Sequence, residues 1–321
     1  MTNAKLTIAL TAAFLSFTLQ AQTPAKKYAA PRTANGQPDL QGIWNNSTVT
    51  PLERPPELAG KAIFTPAEAL AYEKDRVEQS DVDKRRKEGG QTDVALAYNE
   101  AWWDRGTHVV KTLRTSLITD PKDGKLPALT PDGKQRADAL AEQRRLHPAD
   151  GPESRGLTER CILWPEAGPP MMPGPYNNNY QIFQSKDTVT ILVEMIHDAR
   201  VIPLDNRPHL PSNVRQWMGD SRGHWDGDTL VVETANFSDK TRFRGTTRDM
   251  KLTERFTRTD ANTIAYEFTV VDPETYTAPW TAQMTMAKSD SPIYEYACHE
   301  GNYGMVGILS GARSDEKKVA Q

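Results

Sequence analysis

From residue 176 onward, apolar side chains recur at every second position in short runs, and the runs are broken by Gly, Asp and Asn. A period of two sends alternate side chains to opposite faces of a strand, so this stretch reads as consecutive half-buried strands. The runs fall at 180–184, 188–196, 200–204, 223–225, 229–234, 251–258, 263–271, 281–287 and 293–299. Asp226-Gly227-Asp228 and the 259–262 segment carry tight-turn chemistry between them. Strands joined by short turns predict an antiparallel meander, and eight or more of them remove their exposed edges by closing into a barrel. An open twisted sheet or a sandwich is the alternative.

The N-terminal part has a different character. Lys5 precedes an apolar stretch at 6–19, and Gln20-Ala21-Gln22 supplies a small residue for cleavage. A membrane span needs ~20 apolar residues, so the stretch fits a signal peptide over 1–21 and not a span. The expectation is an exported chain, periplasmic or secreted, with no membrane span. Residues 22–38 read as an extended lead-in, 39–313 as a single β domain, and 314–321 as a disordered tail. The first strand is expected at 39–45, followed by a helical insertion at about 60–150. Thr65, Pro66 and Glu68 form a capping box that starts a helix running to Arg86, before Gly89-Gly90. Residues 98–110 read as a shorter helix or an extended piece, and Thr130-Pro131 opens a helix ending near His147.

A formal net charge of −3 is too balanced for a nucleic-acid or polyanion binder. Cys161 and Cys298 are the only cysteines. In an oxidising compartment such a pair forms a disulfide; the competing reading makes Cys298, beside His299, an activated thiolate.

Alternation also assigns faces. In 251–258, Leu252 and Phe256 share a face with Glu254, which puts a carboxylate on a core-facing stripe. Desolvation there makes a general acid or base, unless Arg255, Arg258 or Arg242 pairs with it. His224 and Asp226 lie on one face of an extended segment, and His299-Glu300 end the last run. Together these four residues would make an acid/base cluster, a metal site or a hydrogen-bond network, although no dense metal-ligand spacing is present. Two loops are expected to line a mouth. One carries Tyr176 and the amides Asn177, Asn178 and Asn179; the other carries Arg207 and His209. Trp280 and Tyr296 complete the expected binding surface. No phosphate loop, dinucleotide fingerprint, nucleophile elbow or haem motif occurs, so no cofactor is expected.

The segments GHWDGDTLVVETANF and YEYACHEGNYG are similar to a large group of exported bacterial proteins of unassigned activity. That resemblance implies export and a shared fold, and carries no reaction. The Gly42-Ile43-Trp44 step at the first strand resembles calycins, the lipocalin-like barrels. It implies a calycin-like barrel with Trp44 at its floor and a small-molecule ligand, bound or, in a few relatives, turned over without a cofactor. The function expected is a cofactor-independent acid/base enzyme, of lyase, isomerase or hydratase type, acting on an aromatic or sugar-like compound. A small-ligand binding or carrier protein is the alternative, and a metal-dependent hydrolase or lyase the third.

Overall fold

The computed structural model describes residues 28–81 and 103–319. The expected signal peptide and the end of the first helix lie outside them. Ten strands form one antiparallel sheet: β1 Gly42–Asn45, β2 Ile118–Asp120, β3 Asn179–Gln184, β4 Thr188–Val193, β5 Ala199–Pro203, β6 Asp220–Asp226, β7 Thr229–Ala235, β8 Lys251–Asp260, β9 Thr263–Val271 and β10 Trp280–Ser289. Among the described residues three α-helices accompany it: α1 Pro66–Ser80, α2 Pro131–Leu146 and α3 Tyr303–Val319.

The sheet runs β5-β4-β3-β1-β10-β9-β8-β7-β6, with β2 added against β10. The first strand in sequence therefore sits at the seam, joining the β3–β5 meander to the β6–β10 meander. No ladder joins β5 to β6, so the expected closed barrel is replaced by an open sheet. Nine strands alternating in direction leave the two edges running the same way, so only a parallel ladder could join them, and none forms. The edges meet through side chains instead. Arg200 Nε donates to Ser221 Oγ at 2.9 Å, and Gly223 leaves room for Ile202 and Leu204.

One face of the sheet is an apolar core. Trp44, Tyr180, Ile191, Leu230, Phe256, Tyr266, Phe268, Trp280 and Met284 are all at most 1% exposed. Each such side chain contributes about 1.5–3 kcal/mol by leaving water. Trp44 Nε1 donates to the Leu40 carbonyl at 2.9 Å, and the Arg258 guanidinium lies 5.6 Å from its ring. Phe243, Phe268 and Tyr276 surround Trp280 with ring centroids 5.5–6.1 Å away.

Both expected capped helix starts are present. Thr65 and Glu68 exchange the capping-box hydrogen bonds at α1, and Thr130 Oγ1 accepts from Gly133 N at α2. Residues 103–110 form neither helix nor strand.

Three expectations are corrected. Residues 293–299 are not a strand; that segment pairs with no neighbour and is fastened by side chains. The chain from 314 is not a tail, because α3 continues through it to Val319. β2 was not expected at all, since three residues are too few to show a period.

Candidate functional site

Cys161 and Cys298 are disulfide-bonded, with Cα atoms 5.6 Å apart, so neither is a free thiolate. The bond ties the 293–302 segment to the loop carrying Trp164. Asn302 Nδ2 reinforces it by donating to the Glu159 carbonyl at 2.9 Å. This brings Tyr296 onto Tyr176, with ring centroids 6.3 Å apart in a stacked arrangement and hydroxyls 3.4 Å apart. Trp103 and Trp164 meet the same Tyr176 ring edge-on, at 6.0 and 6.1 Å. Burial, with the Tyr296 hydroxyl adding to it, holds the Tyr176 phenol well above its ordinary pKa, so it remains a neutral hydroxyl.

Beside these rings runs a polar chain. Asn45 ends β1 and stands opposite Asn179, which starts β3. Asn45 Nδ2 donates to Asp104 Oδ2 at 2.9 Å and to Asn179 Oδ1 at 3.1 Å. Asn179 Nδ2 passes the chain to Glu194 Oε2 at 2.8 Å, and Glu194 Oε1 accepts the Tyr294 amide at 3.2 Å. Asn45, Trp103 and Asp104 also line a cavity of about 480 Å³ bounded by the 103–111 loop, α1 and one face of β1 and β10. Arg105 stacks over Trp103 at 3.9 Å at its edge.

The turn after β4 carries strained backbone. Ile196 (φ 61°) and His197 (φ 47°) are both left-handed, which is rare for non-glycine residues and costly for a β-branched one. His197 Nδ1 donates to the Tyr296 carbonyl at 3.0 Å. Next to it, Asp198 has its pKa raised from 3.8 to about 6 by desolvation, with His197 opposing. Among the described residues it is the carboxylate with a shift toward neutrality.

The residues expected to act together are dispersed. Glu254 is fully buried, and its partners lie within the core. Arg200 Nη1 donates to its Oε1 at 3.0 Å, Arg200 Nη2 to Oε2, and the Tyr266 hydroxyl to Oε1 at 2.7 Å. The pairing reading of Glu254 is therefore right, with a different partner: Arg200, and not Arg255, Arg258 or Arg242. His224 and Asp226 are exposed on β6, where Asp226 pairs with Arg255 at 2.9 Å. His299 and Glu300 are exposed in the turn before α3. Among the described residues no three His, Cys, Asp or Glu side chains form a group able to hold a metal.

The amide run is mostly structural. Asn177 takes a left-handed turn at φ 53°. Asn178, 2% exposed, ties its own loop by accepting from the Gly174 amide and donating to the Asp104 carbonyl. Arg207 is exposed and paired with Asp205, and His209 is held by Asp220 at 2.9 Å. Trp280 is core, not a binding surface. Of the expected binding residues, Tyr176 and Tyr296 stack on each other and Asn179 joins the polar chain beside them. Asn45, Asp104 and Trp164 were missed because each lies outside the alternating runs or at the end of one, and Glu194 because the 188–196 run was read as strand throughout.

No family model and no curated protein matches the chain. Among solved structures, two point mutants of the fluorescent protein UnaG align with 35% of this chain and 72% of their own, at 13% identity and a TM-score of 0.22. An overlap at that score carries no argument about fold or function.

Proposed function

We propose that this protein binds a small aromatic or sugar-like molecule at the ring-lined, amide-rich end of its sheet. The observation that carries the reading is the convergence of Trp103, Trp164 and Tyr296 on Tyr176, next to the Asn45–Asp104–Asn179–Glu194 chain and the 480 Å³ cavity. Aromatic faces take the apolar face of a ring, and neighbouring amides and carboxylates take its hydroxyls. Binding is favoured over acid/base catalysis because Glu254 is committed to Arg200 and Tyr266, while the two His/acid pairs lie exposed on separate elements. Asp198 favours the enzyme as the second reading: it is half-buried, titrates near neutrality and adjoins the Tyr296 segment.

Titration of the oxidised protein with aryl glycosides, read by Trp fluorescence and followed by mass analysis of the ligand, separates the two. Saturable binding of an unchanged ligand is expected, weakened at least about tenfold in Tyr176→Ala (1.4 kcal/mol). A chemically altered ligand, whose formation stops in Asp198→Asn, would replace binding by catalysis. Unweakened binding in Tyr176→Ala would remove the site.

A further inference from the structure

We infer that a second groove, sharing no lining residue with the first cavity, binds a small organic anion carrying two or more oxyanion groups. The groove encloses about 700 Å³ between the end of α2, the 153–165 segment and the 239–245 loop. That volume lies within the roughly 300–1,000 Å³ of small-molecule sites. Arg144, Arg155, Arg160, Lys240, Arg242 and Arg244 line it, against only Glu153 and Asp239. The whole chain is net negative, so this concentration is a local feature.

The cations differ in how they are held. Arg155 is anchored by Glu159 and the Pro148 carbonyl, and Arg244 by Glu166 at 3.1 Å. Arg160 has only the exposed Glu153, at 3.6 Å. Arg144 and Lys240 make no side-chain hydrogen bond or ion pair among the described residues, although the Arg144 charge helps to hold the Glu159 carboxyl low, and Arg242 reaches only the Asp239 carbonyl, through Nε at 3.3 Å. The groove thus has fixed walls with charges still to be answered. Like charges crowded together repel, and a bound anion relieves that cost. Guanidinium forks suit carboxylate, sulfate and phosphate oxygens through paired hydrogen bonds.

The number of cations sets the valence. Arg144, Arg160, Lys240 and Arg242 face one groove, whereas in the adjoining hollow of about 360 Å³ Arg136, Arg242 and Arg248 stand against Asp239, Asp249 and Glu274. A ligand with two or more anionic groups can answer several of the groove's cations at once, which a single oxyanion cannot.

Isothermal titration of the oxidised, full-length protein with tripolyphosphate, citrate and sulfate tests this at about 100 mM salt, where surface attraction is screened. One tripolyphosphate or citrate per chain is expected, with Kd of about 1–100 µM and at least about tenfold tighter than sulfate. Arg144→Ala combined with Arg242→Ala should weaken it a further tenfold or more without moving the melting temperature, because both residues are exposed. Lys251→Ala, an exposed cation on β8 outside the groove, should bind like the unaltered protein. The inference is overturned by no saturable binding, by sulfate binding equally well, or by equal weakening in Lys251→Ala. Heparin binding that tripolyphosphate fails to displace would also overturn it.

Discussion

Glu254 has no contact with water, and its charge is answered from two sides, by both guanidinium nitrogens of Arg200 and by the Tyr266 hydroxyl. Arg200 is answered in turn, since Ser221 and Thr234 accept two further donors at 2.9 and 2.8 Å. Replacing one partner leaves a buried charge unpaired. Glu254→Gln is therefore expected to lose about 3–5 kcal/mol in urea unfolding; an unchanged midpoint would show that the pair is not what holds this part of the core. Asp198 works in the opposite sense. Its folded pKa, about 6, lies above the ordinary 3.8, so the folded state holds a proton that the unfolded state has released. Stability on its account falls as pH rises from about 4 to about 6, and the deficit persists above that. Asp198→Asn should raise the melting temperature at pH 7.5, with the difference vanishing near pH 4. The inward face of Glu254 was legible from alternation with Leu252 and Phe256. Its partner was not, because Arg200 is 54 residues away and only the fold brings it near.

At the scale of elements, the 293–302 segment shows how a strand pattern fails. Its alternating side chains suggest a strand, yet its hydrogen bonds go to Glu194 and His197 and its position is set by the disulfide. Opening that bond frees a closed loop spanning 137 residues, which in the chain-entropy model costs roughly 4–5 kcal/mol. The Cys161→Ser, Cys298→Ser double variant is expected to melt at a lower temperature in calorimetry, with roughly 4–5 kcal/mol less unfolding free energy, and to lose aryl-glycoside binding as Tyr296 leaves Tyr176. Retained binding in a destabilised variant would mean that the rings find each other without the bond. α3 is the opposite case. A tail was expected at 314–321, and Gly304, Gly307 and Gly311 each cost about 1 kcal/mol in a helix, yet the helix runs unbroken through Tyr303–Val319. Arg313 fastens that helix by donating to the Ala149 and Asp150 carbonyls.

For the whole molecule, the decisive feature is the edge between β5 and β6, which run the same way, share no ladder and are held together by side-chain packing. A Cβ at Gly223 would stand 2.8 Å from both Ile202 Cγ2 and Leu204 Cδ2. Gly223→Val is expected to cost about 1–3 kcal/mol by wedging the edges apart, and chemical denaturation measures it; a neutral effect would mean that the edges do not depend on each other. The disulfide is the state a cysteine pair takes in a non-reducing compartment, and among the described residues no helix is long and apolar enough to cross a membrane.

The sequence by itself determined what is local and periodic. The period of two located β3–β10 to within a few residues, the capping residues started α1 and α2, and two cysteines alone allowed one pairing. Tertiary structure decided everything that depends on which distant groups meet: β1 at the seam, the open edge, Arg200 beneath Glu254, and the rings gathered on Tyr176. Local patterns report each residue's own face and turn. Partners across a sheet or a disulfide are selected by the packing of the whole chain, and a single run of residues carries no record of that choice.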